Sequence, residues 1–271
     1  MSRDTQWLSV RVWPDAGARD AVIQVLFDHG TSALQDDGPC IVTCFPEAAI
    51  ASLRAAMPSD VRIEITPIAD VDWSERWKDQ LRAHQIGVLT VAPPWLATPD
   101  AIVIEPAMAF GTGDHPTTRG VLRLMQPVIR QGDLVADLGA GSAVLSIAAA
   151  KLGAGRVAAI EIDVEAISNA ELNVRQNGID ERVQVLQGDA AVLLPLLAPV
   201  RVIFANIISS VLVELLPTMD ASLTTDGAMI VSGVLRAERV HMLSVLSAAG
   251  WMLTDEVTEA EWWSGALARS R

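Results

Sequence analysis

The second half of the chain alternates short apolar runs, rich in β-branched residues, with segments of helical spacing. The runs after residue 116 are apolar almost throughout, as in LVADLG, RVAAIEI and VRVIFANI, which is typical of strands covered on both faces. The segments between them have glycine or proline at their borders. This alternation predicts a parallel, doubly wound sheet, and the stretch from Trp251 onward predicts an antiparallel hairpin added to it.

The first part of the chain has a shorter rhythm. Strand-like and helix-like segments follow one another in the order βαββαβ, which is that of a ferredoxin-like domain. Residues 70–85 are rich in charges and place Trp73 and Trp77 on one helical face, which favours a linker helix packed against a domain. We therefore predict a small ferredoxin-like α+β domain over 1–69, a linker helix over 70–85 and a larger α/β domain over 86–271.

Net charge narrows the classes of partner. The 271 residues carry a formal net charge of -13, so the chain lacks the cationic surface that non-specific binding to nucleic acid or to an anionic membrane requires. A basic partner or an uncharged small molecule fits this charge better. We expect neither direct nucleic-acid binding nor membrane binding, and the sequence leads us to assign no metal site.

The cysteines and the N-terminus bear on the compartment. Cys40 and Cys44 lie in one predicted strand, about 13 Å apart at about 3.3 Å per residue, which is too far for a disulfide. We expect both thiols to be buried for structural reasons. The N-terminus has no signal-peptide pattern, and no apolar run of about 20 residues occurs. These features predict a soluble, cytoplasmic protein.

One strand-to-helix turn has the composition of a nucleotide site. In VADLGAGSAV, Gly139 and Gly141 let a ligand lie against backbone amides at a helix N-terminus. Glu161 ends the next predicted strand, where a carboxylate can accept from both ribose hydroxyls; a solvated acid beside a tight turn is the alternative. A dinucleotide pattern needs a third glycine where Val144 stands. Asp137 repels phosphate but suits an ammonium or sulfonium cation, so these features favour S-adenosylmethionine.

Two further polar residues end strands at the same edge of the predicted sheet. Asp189 is a candidate acceptor for the exocyclic amine of adenine, and a helix N-cap is its alternative role. Asn206 follows the next strand, where its side-chain carbonyl can accept a hydrogen bond from a target amine. A buried asparagine with its hydrogen bonds satisfied is the alternative for Asn206.

Several motifs together resemble one family. They are EPAMAFGTGDHPTT, DLGAGSAVLSIAAAKLGA, EIDVEAISNAELNVRQNGI, FANI, VSGVL and EWWSGALAR, and they look like the PrmA family, the methyltransferases of ribosomal protein L11. The similarity runs from about Asp72 to the C-terminus. It implies a Rossmann-like, seven-stranded class I methyltransferase domain. It also implies transfer of methyl groups from S-adenosylmethionine to lysine side chains or the N-terminal amine of that ribosomal protein, which the ferredoxin-like domain binds.

The resemblance implies roles for individual residues. In the family, the counterparts of Thr118, Gly139, Glu161 and Asn206 bind S-adenosylmethionine, and we expect Asn206 to act on the target amine as well. Ala143 departs from the pattern, because the family commonly has a glycine at this place. One methyl group at a helix start is expected to change the affinity for the cofactor without abolishing binding.

The resemblance also gives the loop EPAMAFGTGDHPTT a role. We expect residues 108–118 to fold over the cofactor and to shape the pocket of the target amine. Phe110 is expected to form an apolar wall, and Gly111 and Thr112 to contact the cofactor. His115 is either a general base or a residue that only shapes the loop.

Three alternatives remain open at this point. The first is a methyltransferase that acts on another protein or on a small molecule. The second is a nicotinamide-dependent oxidoreductase, and the third is a non-catalytic module that binds S-adenosylmethionine or protein.

Overall fold

The computed structural model describes residues 7–15, 17–31, 34–67, 81–106, 111 and 113–270. Contacts among Cα atoms divide the chain into two compact units, Met1–Gln80 and Leu81–Arg271. Within the described ranges, no helix is both long enough and apolar enough to cross a lipid bilayer.

The described residues of the N-terminal unit form a four-stranded antiparallel sheet and two α-helices. Its sheet has the order β2-β3-β1-β4, and every pairing is antiparallel. Alternate residues of β1, such as Val10 and Val12, are buried with Phe45 of β3, as expected for a sheet with one covered face. The elements are β1 (Trp7–Trp13), α1 (Arg19–Asp28), β2 (Gln35–Asp37), β3 (Cys40–Pro46), α2 (Ile50–Ala56) and β4 (Arg62–Pro67). The predicted βαββαβ order and ferredoxin-like fold are confirmed.

The two cysteines differ in their surroundings. Both thiols are free, in agreement with the predicted absence of a disulfide. Cys40 is buried, as predicted, but Cys44 is exposed, so the prediction of burial was wrong for Cys44. Side chains alternate along β3, so Cys44 lies on the face opposite Ile41 and Phe45; Cys40 lies on the same face as Cys44 but is buried at the start of the strand.

The C-terminal unit is built on a seven-stranded sheet with the order β10-β9-β8-β11-β12-β14-β13. The first five strands of this order are parallel, and β14 and β13 are antiparallel to their neighbours. The strands are β8 (Leu134–Leu138), β9 (Arg156–Glu161), β10 (Val183–Gln187), β11 (Val200–Asn206), β12 (Leu223–Leu235), β13 (Trp251–Glu259) and β14 (Trp262–Arg269). The predicted doubly wound sheet with a closing hairpin is confirmed.

In the part of this unit that the structure describes, six α-helices cover the sheet, and a small sheet precedes them in the sequence. The helices are α3 (Pro116–Met125), α4 (Val144–Lys151), α5 (Val164–Gln176), α6 (Ala190–Leu197), α7 (Ser209–Ser222) and α8 (Arg239–Ala248). The small sheet has the order β5-β6-β7 and consists of β5 (His84–Ile86), β6 (Leu89–Ala92) and β7 (Ile102–Val103). We did not predict α8 from the sequence.

Burial explains the composition of the central elements. In β9, Val157 to Ile160 are buried between the covering layers, so a continuous apolar run is required there before Glu161. In α4, every residue from Val144 to Ala150 is buried, and four of the seven are alanine or serine, which lets the helix lie close to the sheet. The covered strands bring their carboxyl ends to one edge, where ligands of such folds bind.

The predicted linker helix 70–85 lies mostly in 68–80, outside the described residues, together with Trp73 and Trp77. The end of that prediction was wrong, because His84 and Gln85 belong to β5. Their side chains alternate in burial rather than following a helical period.

Candidate active site

The turn between β8 and α4, residues 139–143, packs closely against the rest of the protein, and we call it the glycine turn. Gly139 has a φ of 72° and Gly141 a φ of 53°, which is a region that favours glycine. A β-carbon on Gly139 would lie 2.7 Å from Cγ2 of Ile207. The turn therefore requires glycine at position 139 for packing as well as for conformation.

Glu161 holds this turn to the end of β9. Its side chain is only 8% exposed. Oε2 accepts from the Gly141 N–H at 2.8 Å, and Oε1 accepts from the N–H groups of Ile162 and Asp163 at 2.8 and 2.9 Å. The alternative of a solvated acid is therefore wrong. A carboxylate has about four acceptor positions, so about one of them is left for a ligand.

Two buried polar atoms at predicted cofactor-binding positions have no hydrogen-bond partner among the described residues. They are Oγ1 of Thr118 on α3 and Oδ1 of Asp137 on β8, two residues before Gly139. The other oxygen of Asp137 accepts from Oγ of Ser146 at 2.6 Å. Burial raises the pKa of Asp137 to about 7, against the hydrogen bonds from Ser146, and the nearby Glu161 raises it further. Unpartnered buried polar atoms are rare and call for an explanation.

A cavity of about 390 Å³ opens at the carboxyl ends of β8 to β11. Its lining includes Leu138, Gly139, Ile162, Asp189, Ile207 and Val211. Ile162 is 70% exposed, so it offers an uncovered apolar surface beside the glycine turn. A larger cavity of about 820 Å³ lies along β10 and contains none of the predicted site residues. The smaller cavity is therefore the candidate ligand site, with a volume typical of small-molecule pockets.

Asp189 and Asn206 lie at the same edge of the sheet. Asp189 is the N-cap of α6, and its side chain accepts from the Ala191 N–H at 2.8 Å, so the N-cap role is confirmed. Asp189 also lines the 390 Å³ cavity, which leaves the adenine role as a prediction. Asn206 ends β11, is partly exposed, and has no side-chain hydrogen bond to any described residue. The alternative of a buried, satisfied asparagine is therefore wrong.

The described part of the 105–118 loop approaches two surfaces. The Gly111 carbonyl accepts from Oγ of Ser142, in the glycine turn, at 2.7 Å. A β-carbon on Gly111 would lie 2.9 Å from Oγ of Ser142, and a β-carbon on Gly113 would lie 2.9 Å from Cγ1 of Val91 in β6. The glycines of the loop therefore permit contact with the glycine turn and with β6. Phe110 and Thr112 lie outside the described residues.

His115 begins α3 as its N-cap. Its Nδ1 accepts from the Thr117 N–H at 3.3 Å and lies 2.7 Å from Oγ1 of Thr117. The imidazole packs edge-on against Trp262, with ring centroids 5.1 Å apart. Burial lowers the pKa of His115, and the cationic Arg119 lowers it further against the opposing effect of Glu261. The contacts of Nδ1 favour the loop-shaping role over that of a general base.

Four charged or titratable residues hold the loop where it enters α3. Arg119 donates from Nε and Nη2 to Oε1 of Glu259 in β13, at 3.0 and 2.6 Å. Arg119 also donates to the Asp114 carbonyl, and the Asp114 carboxylate pairs with Nε2 of His84 in β5. The small sheet and the C-terminal hairpin thus fix the same end of the loop.

The comparisons with known proteins agree with this arrangement. The family model described as ribosomal protein L11 methyltransferase (PrmA) matches residues 41–269. This chain belongs to the PrmA family. Among its relatives, the ribosomal protein L11 methyltransferase of Bacillus cytotoxicus is 36% identical over 86% of this chain and 81% of that relative. The enzyme of the same name from Bacillus cereus (strain ATCC 10987 / NRS 248) is 37% identical over 77% of this chain and 68% of its own length.

A solved structure is also similar. The crystal structure of ribosomal protein L11 methylase from Lactobacillus delbrueckii subsp. bulgaricus matches 70% of this chain and 100% of that chain, with a TM-score of 0.63 and 29% identity. Membership of the PrmA family confirms the predicted class I methyltransferase fold and the prediction of a methyltransferase. It does not favour the nicotinamide-dependent oxidoreductase.

Sequence reasoning on this PrmA chain missed three residues at the site. Ser142 holds Gly111, Ser146 donates to Asp137, and the fully buried Asn173 of α5 contacts the carbonyl of Ser142. Ser142 and Ser146 stand inside a motif that identified the family, but nothing local distinguishes them from ordinary helix-start residues. Asn173 has a sequence signal, because asparagines recur every four residues at positions 169, 173 and 177. Within the described residues, no group of three or more His, Cys, Asp or Glu is placed to hold a metal ion.

Proposed function

We propose that this chain transfers methyl groups from S-adenosylmethionine to lysine side chains or the N-terminal amine of ribosomal protein L11. Family membership supports the reaction class, and the names of the relatives support the substrate. One structural observation carries the assignment of the cofactor. Among the described residues, nothing hydrogen-bonds to the buried atoms Thr118 Oγ1 and Asp137 Oδ1, which stand at predicted cofactor-binding positions, and the sequence lacks a phosphate-binding third glycine.

The residues present fit S-adenosylmethionine. Glu161 has about one acceptor position left, which suits one ribose hydroxyl. We therefore propose one hydrogen bond from the ribose to Glu161 instead of the two that the sequence led us to expect. The apolar surface of Ile162 and the carboxylate of Asp189 line the cavity where adenine fits. Gly139 and Gly141 allow close approach, and Asp137 offers an unpartnered oxygen to a cationic group. When bound, the cofactor supplies a methyl group activated on a positively charged sulfur.

The protein's own contribution is alignment and desolvation. Among the described residues, none hydrogen-bonds to the side-chain carbonyl of Asn206, which can therefore accept from the incoming amine and fix the direction of the amine's lone pair. Lysine has an unperturbed pKa of about 10.4, and transfer from water to an apolar pocket lowers it. The neutral amine is then available without a dedicated base, which agrees with the N-cap contacts of His115. In this proposal Gly111 and Thr112 remain cofactor contacts, and Phe110 remains an apolar wall of the target-amine pocket.

The ribosomal substrate implies the compartment. We place the activity in the cytoplasm, where newly made ribosomal proteins are available. The formal charge of -13 favours a cationic protein as partner over nucleic acid or an anionic membrane.

Mass spectrometry tests the proposal directly. Purified ribosomal protein L11 is incubated with the enzyme and S-adenosylmethionine, and we expect mass increases of one or more methyl groups at amines. Labelled S-adenosylmethionine with a mixture of ribosomal proteins identifies any other acceptor. Binding of S-adenosylhomocysteine without methylation of any protein would favour the non-catalytic module, and calorimetric binding of NADH in its place would favour the oxidoreductase.

The variant Asn206→Ala tests the assignment of the acceptor group. We expect turnover to fall more than the affinity for S-adenosylhomocysteine, because the carbonyl acts on the amine. The opposite pattern would make Asn206 mainly a cofactor ligand.

A further inference from the structure

A row of asparagines follows one face of α5. In the segment SNAELNVRQN, Asn169 and Asn173 lie within the helix and Asn177 is its C-cap. A spacing of four residues places the three side chains one above another. Asn173 is fully buried, and Asn169 and Asn177 are partly exposed.

These amides bind the backbone of the segment that leads into the 105–118 loop. Asn177 accepts from the Val103 N–H at 3.0 Å and donates to the Val103 carbonyl at 2.7 Å. Asn173 accepts from the Glu105 N–H at 2.8 Å, and Asn169 donates to the Glu105 carbonyl at 3.1 Å. A side-chain amide offers the same donor and acceptor as a peptide group, so the row pairs with residues 103–105 as a neighbouring strand does.

Asn173 also reaches the glycine turn. Its Nδ2 donates to the carbonyl of Ser142 at 3.0 Å, while Oγ of Ser142 donates to the carbonyl of Gly111 at 2.7 Å. Glu105 and Gly111 are therefore both connected to Ser142, one through Asn173 and the other directly. We call this set of four residues the Ser142 clasp.

We propose that Asn173 is a positioning residue for methyl transfer. Through the Ser142 clasp, it fixes the positions of Glu105 and Gly111 relative to the glycine turn. This inference rests on the proposed function. Misplacement of reacting groups by about 1 Å can cost about a hundredfold in rate. The clasp connects Glu105 and Gly111, on either side of residues 106–110, to the glycine turn. We therefore expect it to affect turnover more than cofactor affinity.

The first test compares Asn173→Ala with Gln126→Ala. Gln126 is the matched control, because its side-chain amide also bridges backbone groups, donating to Ile86 O and Leu122 O and accepting from Val88 N–H, at the opposite end of α3. For Asn173→Ala we expect kcat on ribosomal protein L11 to fall by about tenfold or more, with the Kd of S-adenosylhomocysteine within about threefold. For Gln126→Ala we expect kcat within about twofold. Equal effects of the two variants on kcat, or a loss confined to cofactor affinity, would overturn the proposal.

A second variant gives a pH signature that a purely structural role does not predict. In Asn173→Asp, a protonated carboxyl can still donate to Ser142 O and accept from the Glu105 N–H, whereas the carboxylate cannot donate. Burial raises the pKa of such a carboxyl. We expect the ratio of kcat for Asn173→Asp to that of the wild type to rise as the pH falls, while the ratio for Asn173→Ala stays flat. Parallel ratios for both variants would contradict the proposal.

Hydrogen exchange on the ligand-free protein supplies a measurement that needs no activity. We expect the Glu105 amide to exchange at least about tenfold faster in Asn173→Ala and to be unchanged in Gln126→Ala, because only the first variant removes its acceptor. If Asn173→Ala does not fold, Asn173→Leu replaces it, because leucine has the same branched shape as asparagine and also removes the acceptor of the Glu105 amide. An unchanged exchange rate of the Glu105 amide would overturn the clasp. If the wild-type protein methylates no ribosomal protein, the proposed function is overturned. The exchange result then still decides whether the clasp exists.

Discussion

Ala143 has a backbone conformation that alanine rarely adopts. Its φ is 64° and its ψ is 18°, at the start of α4, and Ala260 in the turn between β13 and β14 has a φ of 53°. The left-handed region costs an alanine about 1–2 kcal/mol, whereas glycine adopts it freely. The family resemblance that placed a glycine at position 143 therefore has a conformational reason.

The two alanines allow a matched pair of substitutions. Ala260 is exposed, and Ala260→Gly relieves its backbone strain. The added entropy of the unfolded chain costs about 0.4–1 kcal/mol, which is less than this relief. We therefore expect the free energy of unfolding to rise by about 0.5–1 kcal/mol. For Ala143→Gly, loss of a fully buried methyl costs about 0.8 kcal/mol more, so we expect a change near zero. Urea unfolding measures both. A loss above about 1 kcal/mol for Ala143→Gly would mean that packing of the methyl outweighs the strain.

Asp137 provides a prediction about pH. Burial raises its pKa to about 7, from the ordinary value of 3.8, so the folded protein holds a proton that the unfolded chain has lost between these values. The free energy of unfolding therefore falls as the pH rises from about 4 to about 7. In Asp137→Asn this cost is absent, and we expect the stability of the variant relative to the wild type to increase with pH, by at most about 1.4 kcal/mol per pH unit.

Unfolding in urea at pH 5, 6 and 7 measures this increase. Asp226→Asn is the control, because hydrogen bonds from Thr224 and Arg130 lower the pKa of that exposed carboxyl, and its titration lies below the measured range. Its difference from the wild type is expected to stay constant. A constant difference for Asp137→Asn as well would show that this carboxyl is ionised in the folded protein at pH 5.

At the scale of elements, local patterns predicted most of the fold. The strands β8, β9 and β11 were predictable because most residues of each are apolar, and the glycine turn because Gly139 and Gly141 stand between a strand and a helix. Helix α8 was missed because its partial burial leaves a weak apolar stripe. The Ser142 clasp was not predictable, because it joins segments far apart in sequence whose contact depends on tertiary packing.

The hairpin of β13 and β14 supports the start of α3, which carries Thr118. Glu259 binds Arg119, and Glu256 on the same strand binds Arg239, with Nε–O distances of 3.0 and 2.7 Å. Both carboxylates lie on β13, so Glu259→Gln and Glu256→Gln each neutralise the acidic partner of one ion pair with an arginine. We expect a loss of about 1 kcal/mol or less in stability from Glu259→Gln, since the pair is partly exposed. We expect only Glu259→Gln to lower kcat/KM for ribosomal protein L11, by severalfold, because Arg119 also binds the Asp114 carbonyl in the loop.

Steady-state kinetics on the two variants test this difference. Circular dichroism and urea unfolding verify that both remain folded under assay conditions. Equal kcat/KM values for both variants would mean that the hairpin supports α3 through the packing of His115 on Trp262 instead.

For the whole molecule, the net charge makes a prediction about association. A formal charge of -13 attracts a substrate whose reactive groups are cationic amines, and such attraction raises the rate of encounter. Added salt screens exposed charges, since the Debye length shortens from about 10 Å at 0.1 M to about 3 Å at 1 M. We therefore expect kcat/KM for ribosomal protein L11 to fall by about tenfold between about 0.05 and 0.5 M KCl, with kcat nearly unchanged.

Binding of S-adenosylhomocysteine supplies the control for this measurement. Its amino and carboxylate groups balance each other and its sulfur is neutral, so we expect its Kd, measured by calorimetry, to change less than about twofold over the same range of salt. Constant kcat/KM would mean that the contact with the ribosomal protein is dominated by apolar burial, since that contribution does not weaken with ionic strength. A parallel loss of affinity for S-adenosylhomocysteine would place the salt effect at the cofactor site, where the buried Asp137 is the first residue to replace.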